Sequence, residues 1–287
     1  MIAVTGTTGR VGRALADHFS RAQPVIELER SAFDLSDPSV VGRITDLDFE
    51  ILLLPAAITS LEACEDAPAL AETVNHHVPA ELARRCSDQG RKVIFFSTDY
   101  VLDGTWEGLH DEDAAVLPRS VYARTKADAE GEILASGGCV VRVSWVFGPE
   151  KPAFPEMIVD RALAGQPLAA IADKTSLPCL TTDLCQWVAA LIDAGCPSQI
   201  FHACNGGDPC SWHEMAVATV DYLVGKGLLD ARPAIVEQRL SEASFFRGAR
   251  PRHTAMATRR LSELLGRPPR DWRSALTSHL DTLPICR

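Results

Sequence analysis

No apolar run in this chain of 287 residues approaches the ~18 residues that a membrane-spanning helix needs, so no membrane partner is expected. A basic excess is missing as well: 28 Lys and Arg stand against 38 Asp and Glu, a formal net charge of -10. Nucleic acid and anionic membrane surfaces both require a positive face. Nucleic acid is therefore not expected as a partner, and an anionic small molecule would have to be met by local arginines. The nine cysteines include no Cys-x-x-Cys pair. Their odd number and scatter fit reduced thiols in a cytoplasmic protein better than a disulfide framework or a zinc site. His213-Glu214 begins like a zinc-protease motif, but the fifth position is Val217, so the second ligand is missing and no metal is expected. The opening residues read as a strand, with no basic segment ahead of a long apolar core, so no signal peptide is expected. Internal repeats and low-complexity tracts are lacking too.

What is present is ordinary in amount and informative in order. Apolar residues make up 46% of the chain and charged residues 23%, as in a globular protein that needs no staples. Short apolar runs ("IAVT", "PVIEL", "FEILLL", "KVIFF", "CVVRVSW") alternate with helical stretches. That pattern predicts a doubly wound parallel sheet, Rossmann-like, covered on both faces. A long helical region from Leu61 to Gln89 is expected to divide at Pro79. After Pro149, Pro152 and Pro155 the texture changes to shorter strands ("LAAIA", "QIFHA", "AIVEQ") among helices. Residues 1–150 are thus expected to form a dinucleotide-binding domain and 151–287 a smaller α/β substrate lobe, partly interleaved with the first. Ser211 with Glu214 three residues on predicts a capping box.

The first strand runs into Gly6-Thr7-Thr8-Gly9-Arg10-Val11-Gly12. Glycines at such spacing let the chain turn out of the strand, let its backbone approach a pyrophosphate, and let helix and strand pack closely. Helix amides and the positive end of the helix dipole then hold the phosphates; turn punctuation is the competing reading. "STDYVLDG" (Ser97–Gly104) leaves the fourth strand at the edge where doubly wound sheets bind ligands. "YARTK" puts Tyr122 and Lys126 on one helix face, where a lysine cation would pull down the tyrosine pKa of about 10. Glu29, at the end of the second strand, suits a ribose 2′-hydroxyl and hence NADH, whereas Arg30 and Arg10 suit a 2′-phosphate. His76-His77 read as structural or surface residues.

This order resembles the extended short-chain dehydrogenase/reductases, and within them the dTDP-4-dehydrorhamnose reductase family. The resemblance spans nearly the whole chain, through "STDYVLDG", "VYARTK", "RVSWVFG", "ADKTSLPCLTTDL", "IFHACNGGDPCSWHEMA", "RPRHTAMAT" (Arg250–Thr258) and "DWRSAL". It implies NADPH- or NADH-dependent reduction of a nucleotide-sugar C4 ketone. Tyr122 would be the acid, Lys126 would assist it catalytically, both would contact the cofactor with Lys126 holding the nicotinamide ribose, and Thr98 would bond the substrate oxygen. Asp99, Trp145 and Arg250 would lie toward the substrate, with Asp99 alternatively capping its turn, Trp145 alternatively a core residue, and Arg250 alternatively part of a solvated loop. Asp34-Leu35 would meet adenine, and Ala57-Ile58-Thr59 the pyrophosphate and ribose. Related dehydratases carry Asp-Glu after the threonine; here Asp99-Tyr100 disfavours dehydration. Ser120 and Ala123 stand where the family often has Asn and Gly, Leu54-Pro55 where it has Asn-Ala, and Asp173-Lys174-Thr175 where it reads Asp-Gln-Tyr. The resemblance also admits a non-catalytic NADP-binding regulatory subunit, and a homodimer.

Overall fold

Four-residue strands whose every side chain is apolar, such as Ile51–Leu54, are stable only where both faces of a sheet are covered. The computed structural model describes residues 1–243 and 246–284 and arranges them so. In chain order the elements are β1 (Ile2–Thr5), α1 (Arg10–Phe19), β2 (Val25–Leu28), α2 (Val40–Thr45), β3 (Ile51–Leu54), α3 (Leu61–Asp66), α4 (Pro68–Glu72) and a π-helical turn (Thr73–His77). Then come α5 (Val78–Asp88), β4 (Lys92–Thr98), a 3-10 turn (Asp99–Val101), α6 (Val121–Ala135), β5 (Cys139–Val143), β6 (Val146–Phe147) and α7 (Phe154–Leu163). The chain closes with β7 (Leu168–Ile171), β8 (Thr175–Ser176), β9 (Cys179–Leu180), α8 (Thr181–Asp193), β10 (Ile200–Ala203), β11 (Cys210–Ser211), α9 (Trp212–Gly225), β12 (Ile235–Gln238), α10 (Arg259–Leu265) and α11 (Trp272–Leu280).

Six parallel strands form the main sheet in the order β10-β5-β4-β3-β1-β2, the doubly wound sheet expected. The direction of growth reverses between β1 and β3, which opens a crevice at their carboxyl ends. Side chains alternate along β1. Ile2 and Val4 pack with Leu15, Leu184, Trp187 and Leu261 on one face, whereas Ala3 packs with Leu82, Ala129 and Ile133 on the other. The first face is therefore covered partly by α8 and α10, from beyond residue 150, and β10 supplies the edge strand. A third core gathers Ile158, Val220, Trp272 and Leu276 from α7, α9 and α11. Ser211 and Glu214 make the expected capping box at α9.

The helical region from Leu61 divides at Ala67, between α3 and α4, rather than at Pro79. That proline sits in the first turn of α5, where its missing N–H costs nothing, and the π-helical turn before it carries the chain through. The eight cysteines among the described residues are free and buried. Among the described residues no helix is long and apolar enough to cross a membrane.

Candidate active site

The crevice at the carboxyl ends of β1 and β3 widens into a cleft of about 620 Å³ that reaches the ends of β4 and β5. Gly6 turns out of β1 at φ +60°, and a side chain there would meet Ala56. At Gly12 a Cβ would lie 2.2 Å from the carbonyl oxygen of Gly6, so the first turn of α1 rests directly on the loop. Helix α1 begins without a side-chain cap and with no acidic residue in its first turn, which leaves its amides and dipole facing the cleft.

Thr8, Gly9, Arg10 and Val11 line this end, and Ala57, Ile58 and Thr59 line the opposite wall. Arg10 directs its guanidinium to the carbonyls of Val146 (3.0 Å) and Pro152 (2.8 Å), tying the loop to the chain between β6 and α7. Ile58 is held by Asn75, whose amide accepts from Ile58 N–H at 2.8 Å and donates to its carbonyl at 3.0 Å. The same amide donates to Thr125 Oγ1 on α6 at 3.3 Å. Asn75 lies in the π-helical turn, fully buried. No local pattern marks it in the sequence, because its partners come from two distant segments.

At the far end Arg30, Asp34 and Leu35 face the cleft. Asp34 takes the backbone N–H of Ser36 at 2.9 Å and the guanidinium of Arg30 at 3.3 Å. Glu29 lies outside the cleft lining; its exposed carboxylate accepts from Ser31 Oγ at 3.4 Å. The neighbouring arginine, not the glutamate, therefore forms the wall there.

Thr98, Tyr122 and Lys126 converge where β4 and α6 meet the cleft. Ser120 caps α6, its hydroxyl accepting from Ala123 N–H at 3.2 Å. Arg142 of β5 grips Glu130 of α6 with bonds of 2.9 and 2.6 Å, a pair buried on both sides. The helix that carries Tyr122 and Lys126 is thus fixed at its start and in its middle. Burial pushes the Tyr122 phenol up, against a hydrogen bond with Thr98 that favours the ionised form. Burial likewise brings the Lys126 ammonium down to about 7, with Glu130 opposing. The expectation that Lys126 lowers the tyrosine pKa is therefore corrected for this state: desolvation is the largest influence on each group, and Tyr122 is held protonated.

At the carboxyl end of β5, Trp145 adopts a left-handed backbone at φ 41°, a strained state for a bulky residue. Its ring lies 5.2 Å from that of Trp212, and its indole N–H is buried without a hydrogen-bond partner among the described residues. Asp99 is 2% exposed and accepts from Thr98 Oγ1 at 3.2 Å, Ser176 Oγ at 3.1 Å and Thr254 Oγ1. Arg250 is not in the cleft lining. Its guanidinium pairs with Glu62 at 2.9 Å, donates to the Gly248 carbonyl at 2.8 Å and stacks 3.6 Å from the centroid of the Phe246 ring. Arg252 pairs with Asp173 at 3.1 Å.

A dinucleotide fits this donor set. Lys126 Nζ and Ser97 Oγ are buried, line the cleft and have no hydrogen-bond partner among the described residues. The Lys126 ammonium stands over the Phe95 ring, 3.7 Å from its centroid, with the charge of Glu130 acting on it. Buried donors of that kind await a polar ligand. Glu72, His76 and His77 bring possible metal-ligand atoms within 4.8 Å of one another. They lie on the outer helical face, where Glu132 and Arg124 already pair with His76 and Glu72.

The family model of the RmlD substrate binding domain matches residues 1–285. The dTDP-4-dehydrorhamnose reductase of Streptomyces griseus is 32% identical, over 98% of this chain and 93% of its own. The dTDP-4-keto-6-deoxy-D-glucose reductase of Streptomyces niveus is 30% identical, over 96% and 94%. A solved structure of the Bacillus anthracis dTDP-4-dehydrorhamnose reductase in complex with NADP superposes with a TM-score of 0.89. The match covers 98% of this chain and 99% of that one at 21% identity, a likeness of fold.

Proposed function

Since this chain belongs to the RmlD substrate binding domain family, we propose that it reduces the C4 ketone of a dTDP-activated 4-keto-6-deoxyhexose, dTDP-4-dehydro-L-rhamnose or a close relative, with NADPH. The observation that carries this reading is the convergence of Thr98, Tyr122 and Lys126 in the cleft that the glycine loop opens. When bound there, NADPH supplies the hydride. Tyr122 keeps its proton through burial and delivers it to the substrate oxygen as charge develops on that atom. Thr98, its proton given to the buried Asp99, stands beside the Tyr122 phenol and positions it toward that oxygen. Lys126 has an unpartnered ammonium for the nicotinamide ribose, and Trp145 offers its ring face and unpartnered N–H to the sugar.

Among the described residues of the cleft lining, no carboxylate is free to take a proton from carbon. The acids that line the cleft are Asp34 and Asp99; the first closes its own turn and the second is saturated with hydroxyl donors. Tyr100 follows Asp99, its ring edge-on to Tyr122 at 6.3 Å. Reduction, not dehydration, is what these groups support. In this reading residues 1–150 bind the dinucleotide and 151–287 bind the sugar nucleotide, with α8, β10 and α10 returning to complete the first unit. The cytoplasm, where nucleotide sugars are made, suits the buried free thiols.

Arg30, on the cleft wall at the adenine end, selects the 2′-phosphate. Arg30→Ala should lower the ratio of kcat/KM for NADPH over NADH about tenfold, the worth of one charge-assisted hydrogen bond. Glu29→Ala should leave the ratio within about twofold, as expected of a side chain outside the cleft. A ratio untouched by the arginine change would place the 2′-phosphate elsewhere. The reading as a whole is tested with dTDP-, UDP- and GDP-linked 4-ketosugars, following nicotinamide absorbance. Turnover with the dTDP sugars supports it; a protein that binds NADPH yet reduces none of them would overturn it.

A further inference from the structure

Lys174 is a buried charge that the mechanism above does not use. It lies in the turn between β7 and β8, in the second half of the chain, and is 0% exposed. Its ammonium donates to the Pro251 carbonyl at 2.7 Å and stands over the Tyr100 ring at 4.7 Å and the Trp145 ring at 5.8 Å. Both rings belong to the cleft wall. The opposite charge nearby is Asp99, whose carboxylate gathers three hydroxyls: Thr98 from the end of β4, Ser176 from β8, and Thr254 from the segment before α10.

We propose that Lys174 is a positioning residue for the reduction: its ammonium is the buried counter-charge that lets Asp99 remain a carboxylate and so hold Thr98 against the second lobe. A carboxylate is acceptor-only and receives all three hydroxyl protons, whereas a carboxylic acid carries a proton of its own, which would turn one of those hydroxyls from donor to acceptor. The network is thus built for the charged form. Burial holds the Asp99 carboxyl above the usual carboxylate range, and the charge of Lys174, together with the three hydroxyls, opposes that rise; reciprocally, Asp99 opposes the fall that burial imposes on Lys174, which stands at about 8. The other titratable groups that feel this carboxylate are the phenols of Tyr100 and Tyr122 and the thiol of Cys204, while Arg250 adds positive charge near Lys174. Of these, Lys174 is the cation that acts directly on Asp99.

The inference rests on the reductase reading, so wild-type turnover of the dTDP ketosugar is established first; its absence would sink that reading and not the role of Lys174. Lys174→Met should then lower kcat about a hundredfold relative to wild type at pH 6.5, the cost of a misplaced catalytic hydroxyl, with the Kd for NADPH unchanged. Without its counter-charge Asp99 takes up a proton at higher pH than before. The ratio of variant to wild-type kcat should therefore recover at least tenfold between pH 6.5 and pH 9 as the carboxylate reforms. Damage to packing would leave that ratio flat, and a flat ratio overturns the proposal. Lys174→Met combined with Asp99→Asn buries no charge, which guards against a single variant that does not fold. Its kcat should fall at least tenfold with no recovery at high pH, and a smaller fall would equally overturn the proposal.

Discussion

Tyr122→Phe is expected to lower the rate of ketosugar reduction about a thousandfold, within the range that positioned general acids contribute, while the Kd for NADPH stays within about threefold. The separation follows from where the two functions reside. Cofactor binding is assigned to the glycine loop, to the opposite wall at Ala57–Thr59 and to Arg30, none of which depends on the phenol. Proton delivery depends on it alone: Thr98 Oγ1 donates its one proton to Asp99, and the lysine cation lies one helical turn further along α6. Single-turnover absorbance with saturating NADPH reads the chemical step, and calorimetric titration reads binding. A residual rate within tenfold of wild type would remove Tyr122 as the acid.

Lys126→Met is expected to abolish useful turnover and, at the same time, to make the ligand-free protein more stable. The ammonium is 1% exposed, has no hydrogen-bond partner among the described residues and stands over an aromatic face, and burial outweighs the attraction of Glu130. An isosteric apolar side chain removes that desolvation cost. The pH dependence follows from linkage. In the folded chain this lysine loses its proton near pH 7, against 10.5 for the free side chain. Below about pH 7 both states hold the proton and the cost of burying charge is felt in full. Between 7 and 10.5 only the unfolded chain holds it, so wild-type stability rises with pH. The advantage of methionine should therefore be largest at pH 6, at about 2–4 kcal/mol, and should fade toward pH 10. Thermal unfolding at pH 6 should show a Tm higher by roughly 5 °C; a lower Tm would mean that the ammonium is satisfied in solution. The kcat/KM for the ketosugar should fall at least about a hundredfold, since the ribose would lose its charged partner.

The local parts of the site are legible in the sequence. Three glycines after a first strand, and Tyr122 with Lys126 four apart, are relations within one turn or one helix, which spacing alone specifies. The sheet is legible for the same reason, because apolar runs of strand length between helices allow few other arrangements. Contacts between distant segments are not legible in this way. Glu29 and Arg30 are adjacent in sequence, and which of them lines the cleft depends on how the chain leaves β2. Arg10 has the place and charge of a phosphate ligand, yet the carbonyls of Val146 and Pro152 take its two terminal nitrogens, leaving Nε buried without a partner among the described residues. Arg250 has the charge to face a diphosphate, yet Glu62 and Phe246 engage it. A helical wheel shows the charge beside Tyr122 but not the depth of burial, so the shift there runs opposite to the one that spacing suggests. Asn75 and Lys174 carry no local signature; each acquires its significance from partners more than ten residues away in the chain.

The most direct test of the reductase reading follows one hydrogen. NADPH carrying deuterium at its transferable position is mixed with a dTDP-4-keto-6-deoxyhexose and this protein, and the product is examined by NMR. The account predicts one deuterium at C4 of the sugar for each NADPH oxidised, beside a new hydroxyl whose proton exchanges with solvent, and a rate that collapses with Tyr122→Phe. Recovery of the unreduced ketone from a protein that holds NADPH, or deuterium at any other carbon, would contradict it.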